Sequence, residues 1–477
     1  MKQYDTVVIG GGIAGITAAA LLATNRQRVL LVDQSNHLGG LIHTVQYRGI
    51  AFPVGAHHLS GSAINGLSRR ILSQLGIPTE KVLHPVEAMG VTLDGVQYTI
   101  EMSLDGLEHF LLREFPEESK SREFLAELRR YCDYYISNCA ENLLQFFKET
   151  CNLSFDCFLD RFFTQRRLKR LLCYLGEIYG GLDHTESAFS NLSLLVSYYC
   201  GTSYIDWGEG GLLERLTTRL QALQVDILTE TQFSAVCKED ERVVGAQLLD
   251  RKSQICYNVL SKQVVLAINP RQTLTEQFPT LRASKKILRL SNGPSAVRVI
   301  GVAGKVIDGI HNCNVVRMTS NSKVFLEPDF AQLPTYVLCY PEMFHDQLPG
   351  QVAFMLTFLT EQPSTLDAEE LKTKLLCLLA RDDPDVYHTI EHCQVIPSTV
   401  YRSLSGGTSA SIFGWKRDAM TTIYTNSFCP SVPGAENLYI CGNWSTDFGL
   451  YGALRSSELV CKQILNRSET EPESSQR

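Results

Sequence analysis

The stretch from Tyr4 to Gly40 constrains the fold of this chain more than any other. An apolar run, Thr6 to Ile9, leads into the glycine-rich turn GGGIAG, an alanine-rich segment and a second apolar run that ends at Asp33. This order predicts a strand, a tight turn, a helix and a parallel strand, the βαβ unit of dinucleotide-binding folds. Because both strands, the helix and the acid are present, the pattern is much stronger than an isolated GxGxxG.

Each glycine of the turn has its own expected task. Gly10 permits the tight turn, and Gly12 lets the backbone approach a pyrophosphate at the N-terminus of the helix. Gly15 lets the helix pack closely on the strand. Asp33 can accept hydrogen bonds from a ribose hydroxyl at the end of the second strand. The turn therefore predicts the binding of a dinucleotide.

Composition excludes several classes of protein. The 477 residues allow up to about three domains and a large core, and 44% hydrophobic with 20% charged residues is an ordinary globular composition. The net charge of -7 argues against nucleic acid as the main partner, because phosphate-binding proteins usually carry a basic excess. We therefore expect no nucleic-acid partner.

Cysteine usage and hydropathy bear on location. The 15 cysteines lack CxxC pairs and metal-ligand spacing, and no signal-peptide pattern precedes the first predicted strand. We expect reduced thiols, no metal site and a cytoplasmic protein. No apolar run reaches the roughly 18 residues that a membrane-spanning helix needs, so membrane association is expected only as a peripheral contact.

A glycine pair, Gly39 and Gly40, follows Asp33 and completes a longer pattern. In this pattern the chain resembles flavoproteins rather than nicotinamide dehydrogenases, and the resemblance implies FAD as the cofactor. The paired glycines are then expected close to its pyrophosphate. Most of the proteins it resembles carry Glu in place of Asp33, so the ribose contact is expected to be longer or mediated by water.

The stretch FPVGAHHLSG, residues 52–61, is similar to the segment that runs along the isoalloxazine in FAD-dependent carotenoid isomerases and retinol saturases. His57 and His58 lie in this stretch and are the first catalytic candidates. Neighbouring side chains on a strand point to opposite faces, so at most one histidine is expected to face the ring. Either that histidine moves a proton, or both histidines only pack in the core.

The end of the chain predicts a strand, a turn and a helix. Gly442, Gly452 and Ala453 match the terminal flavin-binding motif of the family that the chain resembles, in which the helix N-terminus faces the pyrimidine side of the flavin. Asn443 stands where that family usually has an acid that binds the sugar chain of FAD, and its amide can still bond to a hydroxyl. Residues 467–477 are polar and expected to be disordered.

Tyr451 lies inside this terminal motif and is the third catalytic candidate, because the resemblance places it at the opposite end of the flavin from the histidines. Phe233 belongs to a predicted strand that passes the adenine in similar proteins. Tyr401 and Arg402 lie within a stretch, residues 395–415, that is similar to the segment running beside the substrate, and they are either substrate contacts or a surface pair.

Between the motifs, residues 102–199 carry apolar side chains at spacings of three and four, which predicts a mostly helical insertion. Within it, Phe162 and Phe163 precede four basic residues that end at Arg170. This combination suits a helix lying among lipid headgroups, and it also suits an ordinary helix with a solvated basic face. In phytoene desaturases, which the chain resembles, the corresponding region meets the membrane.

Together these features predict an α/β protein: a Rossmann-like FAD-binding domain (GR2 type) with an interleaved α+β substrate domain. The FAD-binding domain takes residues 1–100, 201–280 and 430–466, and the substrate domain takes 101–200 and 281–429. The strands of the second substrate segment are expected to form an antiparallel sheet carrying a helix over 368–382. The predicted cofactor-binding residues are Gly10, Gly12, Ile13, Ala14, Gly15, Asp33, Gln34, Gly39, Gly40, Leu41, Phe233, Gly442, Asn443, Gly452 and Ala453.

The resemblance extends over residues 4–465 and covers phytoene desaturases, carotenoid isomerases, retinol saturases and amine oxidases. It implies an FAD-dependent oxidoreductase that desaturates, saturates or isomerises an apolar isoprenoid or polyene by hydride transfer at flavin N5. No second GxGxxG has the strand–helix context, so the electron donor or acceptor is expected to be external: oxygen, a quinone or a redox protein.

Two alternatives stay open at this point. One is a flavin amine oxidase, with Trp444 and Tyr451 as aromatic side chains beside the flavin. The other is a non-catalytic prenyl carrier of the GDP-dissociation-inhibitor type, which the complete set of glycines and Asp33 disfavour.

Overall fold

The computed structural model describes residues 3–137, 139–208, 210–305, 314–340, 351–405, 407 and 409–470. The strands are β1 (Tyr4–Ile9), β2 (Val29–Val32), β3 (Thr44–Tyr47), β4 (Ile50–Pro53), β5 (His58–Ser60), β6 (Leu83–Pro85), β7 (Ala88–Leu93), β8 (Val96–Glu101), β9 (Thr202–Ile205), β10 (Asp226–Leu228), β11 (Thr231–Glu239), β12 (Arg242–Asp250), β13 (Cys256–Leu266), β14 (Ser295–Ala303), β15 (Asn314–Met318), β16 (Tyr336–Cys339), β17 (Val352–Thr360), β18 (Ile390–Ile396) and β19 (Leu438–Ile440). The helices are α1 (Ile13–Thr24), α2 (Leu67–Gln74), α3 (Thr79–Val82), α4 (Leu104–Glu114), α5 (Ser121–Ser137), α6 (Ala140–Thr150), α7 (Phe155–Leu159), α8 (Arg166–Leu172), α9 (Tyr174–Gly180), α10 (Ala188–Tyr199), α11 (Leu212–Ala222), α12 (Arg271–Gln277), α13 (Arg282–Ile287), α14 (Ala368–Asp382), α15 (Pro384–Tyr387), α16 (Ser398–Leu404), α17 (Ala419–Asn426) and α18 (Gly449–Thr470).

The first sheet has the strand order β10-β2-β1-β13-β12-β11, with β19 added beside β13. Strands β10, β2, β1, β13 and β19 pair in parallel, whereas β11, β12 and β13 form an antiparallel ladder. The parallel strands bring their carboxyl ends to one edge of the sheet. At that edge Gly10, Asp33, Ala267 and Cys441 directly follow β1, β2, β13 and β19. The predicted βαβ unit is therefore present, and α1 packs against β1, β2, α11 and α18.

The second sheet has the order β18-β14-β17-β16-β15-β7-β8. All its neighbours are antiparallel except β15 and β7. Every residue of β14 is buried, and α14 covers the sheet at β18. This confirms the antiparallel sheet expected after residue 290 and the helix expected over Ala368–Asp382.

One predicted boundary cuts across the second sheet. The hairpin β7–β8 lies almost entirely in residues 1–100, the first predicted segment of the FAD-binding domain, but it pairs into the second sheet. The parallel partner β15 arrives from more than two hundred residues further along the chain, and a pairing of that range leaves no local pattern in the sequence. The division into the two predicted domains otherwise stays a prediction.

The predicted helical insertion is present as α4–α10, and its apolar faces share one core with parts of the second sheet. The stretch from Phe155 to Gly180 forms three short helices, α7, α8 and α9, rather than one long helix. Helix α10 is buried along almost its whole length and contacts α5, α6, α7 and α9. It is the central helix of this region.

The predicted lipid-binding segment is a part of the core. Phe162 and Phe163 lie between α7 and α8, are 8% and 2% exposed, and pack on Phe124 with ring centroids 5.7 and 5.0 Å away. Of the bases that follow, Arg167 donates to the Tyr98 hydroxyl at 2.8 Å, and Arg170 forms an ion pair with buried Glu177. The prediction that both aromatics insert into a membrane is therefore wrong, because α5 and α7 cover them.

Other expectations have mixed outcomes. The expected disordered tail is wrong for residues 467–470, which continue α18, and residues 471–477 lie outside the described part of the chain. Each cysteine that the structure describes is a free thiol. Among the described residues, no helix is long and apolar enough to cross a membrane, and no group of side chains is suited to hold a metal ion.

Candidate functional site

A single cavity of about 1020 Å³ opens at the edge of the first sheet and runs between the two sheets and the helices. It is lined by all but two of the residues predicted to bind the cofactor: Gly10, Gly12, Ile13, Ala14, Asp33, Gln34, Gly39, Gly40, Leu41, Phe233, Gly442, Asn443 and Ala453. The two exceptions are Gly15 and Gly452, which face protein. The same cavity is also lined by His57, His58 and Tyr451.

The glycines of the first turn lie in different surroundings. A Cβ on Gly10 would lie 2.8 Å from the Ala267 carbonyl oxygen, and Gly10 has φ of +104°. A Cβ on Gly15 would lie 1.8 Å from the Gly10 carbonyl oxygen, so α1 and β1 touch there. A Cβ on Gly12 would meet no protein atom within 4 Å. Gly12 is thus the glycine that faces the cavity at the start of α1.

Asp33 braces this turn. One carboxylate oxygen accepts from the Gly11 backbone N–H at 2.6 Å, and the other accepts from the Ser35 backbone N–H at 2.7 Å. Asp33 also lines the cavity. Because a carboxylate oxygen can accept more than one hydrogen bond, the expected ribose contact stays a prediction, and the turn-bracing role is an addition to it.

The glycine pair closes over the turn. The Gly39 backbone N–H donates to the Gly11 carbonyl at 2.8 Å, and a Cβ on Gly40 would lie 3.2 Å from the Gly12 Cα. Only a chain without side chains at these places can run so close to the first turn. The next residue, Leu41, lies against Gly55, whose Cβ would come 2.1 Å from the Leu41 carbonyl oxygen.

The terminal motif meets the first turn from the other side. Gly442 has φ of +91°, and a Cβ there would lie 3.2 Å from the Cβ of Ala14. Asn443 lines the cavity, and its side-chain amide donates to the Ile412 carbonyl at 3.3 Å. Gly452 packs on the backbone of Asp447, where a Cβ would lie 2.5 Å from the carbonyl carbon. The predicted motif is thus split between a cavity wall and a packing contact.

Both candidate histidines are buried together. They are 7% exposed each, and their ring centroids are 4.6 Å apart. The expectation that they point to opposite faces is wrong, because β5 begins at His58 and His57 precedes it in irregular backbone. The alternation of a strand therefore does not apply to the pair.

Around the histidines lies a group that we name the histidine cluster: His57, His58, Tyr179, Tyr198, Tyr204 and Asn314. The Asn314 side-chain oxygen accepts from the Tyr204 hydroxyl at 2.8 Å, so its amide nitrogen faces His57 Nε2 at 3.0 Å. An amide nitrogen only donates. His57 Nε2 therefore accepts, and the ring proton sits on Nδ1.

Burial keeps both rings neutral. It lowers the pKa of His58 to about 3, and it lowers the pKa of His57 well below the usual value, with further contributions from His58 and Arg298. Neither His57 Nδ1 nor the two ring nitrogens of His58 has a hydrogen-bond partner among the described residues. A buried polar group without a partner costs about 1–3 kcal/mol, so a ligand in the cavity is expected to satisfy them.

Tyr451 lies elsewhere in the cavity wall. It is 7% exposed and stacks on Tyr135 with a centroid separation of 4.8 Å. Burial raises its pKa, so the phenol keeps its proton. Tyr401 lines the cavity and donates to the Val54 carbonyl at 2.9 Å, whereas Arg402 is exposed. The alternative of a Tyr401–Arg402 surface pair is thus wrong for Tyr401, which is buried.

Sequence reasoning missed several cavity residues. Arg298 is 4% exposed, donates to the Gly55 carbonyl at 2.9 Å and to Thr357 Oγ1 at 3.0 Å, and lines the cavity. A signal existed, because Arg298 is the only charged residue in the apolar stretch Ser295–Ala303. Asn314 and Arg417 carried no such signal. Polar residues precede Asn314 in the sequence, and charged residues stand on both sides of Arg417.

The comparisons with known proteins agree with this geometry. The family model of flavin containing amine oxidoreductases matches residues 13–465. The chain belongs to this family. The all-trans-retinol 13,14-reductase of Rattus norvegicus is 26% identical over 291 residues, 55% of this chain and 47% of the relative. The 4,4'-diapolycopene oxygenase of a Methylomonas species is 23% identical over 275 residues, 51% of this chain and 52% of the relative.

These matches are partial, since the chain spans about half the length of the curated relatives it matches. Among solved structures, an oxidoreductase from Methanosarcina mazei superposes with a TM-score of 0.67 at 14% identity, covering 97% of this chain and 100% of that chain. A likeness at that identity establishes the fold. The predicted α/β fold with a Rossmann-like FAD-binding domain is thereby confirmed.

The family is flavin-containing, and its cofactor here is FAD. The residues of this chain fit FAD, since the empty space before Gly12 would take a diphosphate and the unpartnered polar atoms of the cavity would take polar groups. The first turn, the glycine pair and the terminal motif are the parts that would hold it. These residue assignments stay predictions.

Proposed function

We propose that the protein is an FAD-dependent oxidoreductase acting on carbon–carbon bonds of an apolar isoprenoid or polyene. The observation that carries the proposal is a set of apolar residues in the cavity lining, which we name the apolar arm: Leu143, Leu144, Phe146, Phe147, Ile178, Phe189, Leu194, Leu404, Ile412 and Phe413. Long apolar molecules bind where such side chains remove them from water. The names of two relatives, a retinol reductase and a diapolycopene oxygenase, support this substrate class.

In this proposal the bound FAD supplies hydride acceptance or donation at N5. The chain contributes alignment and proton handling. Apolar side chains hold the substrate and exclude water, and the Nδ1–H of neutral His57 is a hydrogen-bond donor in the cavity wall. His58, with two unpartnered nitrogens, can accept or donate a proton. Electrons are exchanged with an external partner: oxygen, a quinone or a redox protein.

An amine oxidase is the second candidate. The cavity has fewer features suited to a protonated amine than to an apolar substrate. The acids that line the described cavity wall are Asp33, Glu276 and Asp447, and none of them is hydrogen-bonded to the histidine cluster. A protonated amine near that cluster would face Arg298 instead of a counter-charge. Trp444 and Tyr451, the expected aromatic flanks, are buried against Trp415 and Tyr135.

The test is anaerobic reduction of the bound flavin by matched panels of apolar polyenes and primary amines, followed by optical spectra. Reduction or product formation with a polyene supports the proposal, and reduction by amines alone overturns it. Ser193→Phe should fill the apolar arm and abolish polyene turnover while FAD stays bound, since Ser193 lines the cavity. Ser253→Phe, at an exposed turn, is the matched control.

A peripheral membrane contact is a further part of the proposal. With Phe162 and Phe163 buried, it rests on Ile136 and Leu144, which are 54% and 52% exposed on the packed helices α5 and α6. Leu144 also lines the apolar arm, so a lipid surface there would meet the cavity mouth. Co-sedimentation with phosphatidylcholine vesicles should weaken in Leu144→Glu and remain in Met420→Glu, whose exposed side chain lies on α17.

A further inference from the structure

Arg417 is a buried cation in the cavity wall. It is 5% exposed and lies in the segment that runs beside the terminal motif, where the Trp415 indole N–H donates to the Trp444 carbonyl at 2.9 Å. The Nη1 group of Arg417 donates to the Thr446 carbonyl at 3.3 Å. Its guanidinium carbon lies 4.3 Å from the centroid of the Phe448 ring. The side chain is therefore fixed in place on one edge and one face.

The opposite edge of the guanidinium makes no hydrogen bond to the described residues. Among the described residues, Arg417 Nε and Nη2 have no hydrogen-bond partner. These two N–H groups lie side by side and form the fork that binds two oxygens, or an oxygen and a nitrogen, of an anion. The open edge therefore has the geometry of a bidentate anion site.

The neighbouring acids do not neutralise Arg417. Asp447 forms its ion pair with Arg455, and Asp418 accepts from the Thr421 backbone N–H at 2.6 Å as the N-cap of α17. Desolvation lowers the pKa of Arg417 to about 9, although Asp447 and Asp418 act in the opposite direction. The guanidinium still carries its charge at neutral pH. A buried charge without a partner is costly.

Arg298, the other buried arginine of the cavity wall, differs in this respect. Its Nε donates to the Thr357 hydroxyl and its Nη1 donates to two backbone carbonyls, so protein groups already bond to both of these nitrogens, including one of the two that form the Nε–Nη2 fork. Of the two, Arg417 is the one whose hydrogen-bonding edge a ligand must complete.

We infer that Arg417 is the counter-charge for an anionic group of the bound FAD. The inference rests on the FAD assignment and not on the proposed substrate. FAD offers two such groups, the permanently charged diphosphate and the isoalloxazine, which gains negative charge when it is reduced. Both present two adjacent acceptor atoms to a guanidinium fork.

The experiment measures FAD binding to apoprotein by quenching of flavin fluorescence, for the wild type, Arg417→Gln and Arg417→Lys. A hydrogen bond to a charged group contributes about 1.5–3 kcal/mol, so Arg417→Gln should weaken an oxidised-FAD contact by about 10- to 100-fold. Arg417→Lys keeps the charge without the fork, so its affinity for FAD should lie between those of the wild type and Arg417→Gln. Arg282→Gln, an exposed site, is the matched control and should bind FAD normally.

Two further measurements identify the anionic group. If it is the diphosphate, Arg417→Gln should lose affinity for ADP and for FAD by the same factor, with an unchanged midpoint potential. If it is the reduced isoalloxazine, oxidised FAD should bind normally and the midpoint potential should fall, by about 30 mV for each tenfold weakening of the reduced form.

The inference is overturned if Arg417→Gln binds FAD and ADP with normal affinity and keeps the wild-type midpoint potential. This holds even if the apoprotein melts at a lower temperature. That result would make Arg417 a structural residue or a substrate contact. Neither the measurement of FAD binding nor that of the midpoint potential requires a substrate. The inference about Arg417 can therefore be overturned independently of the proposed polyene chemistry.

Discussion

Residues of the glycine turn at 10–15 and residues of the histidine cluster line the same cavity, but the two regions are built differently. The turn is contiguous in sequence and presents backbone, with an open space before Gly12. The cluster is assembled from the start of β5, α9, α10, β9 and β15, and it presents side chains. A backbone site is specified by a few neighbouring residues, whereas a side-chain site depends on every element that carries one of its members.

The largest effect is expected at the turn. Gly12→Val should abolish FAD binding while the apoprotein stays folded, because the new side chain meets no protein atom and enters the space before α1. Absorbance of the purified protein and urea unfolding of the apoprotein measure the two properties. Ala222→Val, at an exposed helix end, is the control. A fully flavin-loaded Gly12→Val protein would falsify the assignment of this turn.

The cluster should behave in the opposite way, losing rate without losing cofactor. If His57 or His58 moves a proton, its replacement by Ala should slow single-turnover flavin reduction or reoxidation by roughly 100- to 10,000-fold at normal FAD occupancy. If the rings only pack, both single variants should keep the wild-type rate per bound FAD and lose stability. If both alanine variants keep the wild-type rate, the catalytic hypothesis is wrong. The glycine turn and the histidine cluster would then differ only as two binding regions.

The cluster should also make stability depend on pH. The pKa of His58 is about 3 when folded and about 6.5 when unfolded. Between these values the unfolded chain binds more protons, so the free energy of unfolding should fall as pH drops below about 6.5, by up to about 1.4 kcal/mol per pH unit. Urea unfolding at neutral pH and at about pH 5 measures this change in the free energy of unfolding. His58→Gln should flatten the slope, and an unchanged slope would contradict a neutral buried His58.

The smallest effect is expected from the residue that orients His57. Asn314→Ala removes the donor at His57 Nε2 and frees the ring to change tautomer. The rate should fall by about 2- to 12-fold, which corresponds to one hydrogen bond of about 0.5–1.5 kcal/mol, and the nitrogen NMR shifts of His57 should show the second tautomer. Asn321→Ala, at an exposed turn, is the control. A single unchanged tautomer in Asn314→Ala would remove the positioning role.

The outcomes at particular residues show what a sequence pattern can predict. Arg48 and Gly49 both adopt positive φ, as the tight turn of the β3–β4 hairpin requires, and neighbouring residues specify such a turn. For Phe162 and Phe163 the sequence left a lipid-bound helix and an ordinary helix as alternatives, because an aromatic and basic stretch has the same composition whether or not other helices cover it. Here α5 and α7 cover it.

The sequence alone determined the dinucleotide turn, the glycine pair and the terminal motif, because each needs glycine where backbone meets backbone or an open cavity, and that requirement is local. The tertiary structure alone decided that His57 and His58 share one buried site, that Asn314 sets the tautomer of His57, and that two N–H groups of Arg417 have no hydrogen-bond partner among the described residues. These properties depend on burial and on partners that are distant in the sequence. Desolvation of a side chain begins only when the chain has folded around that side chain.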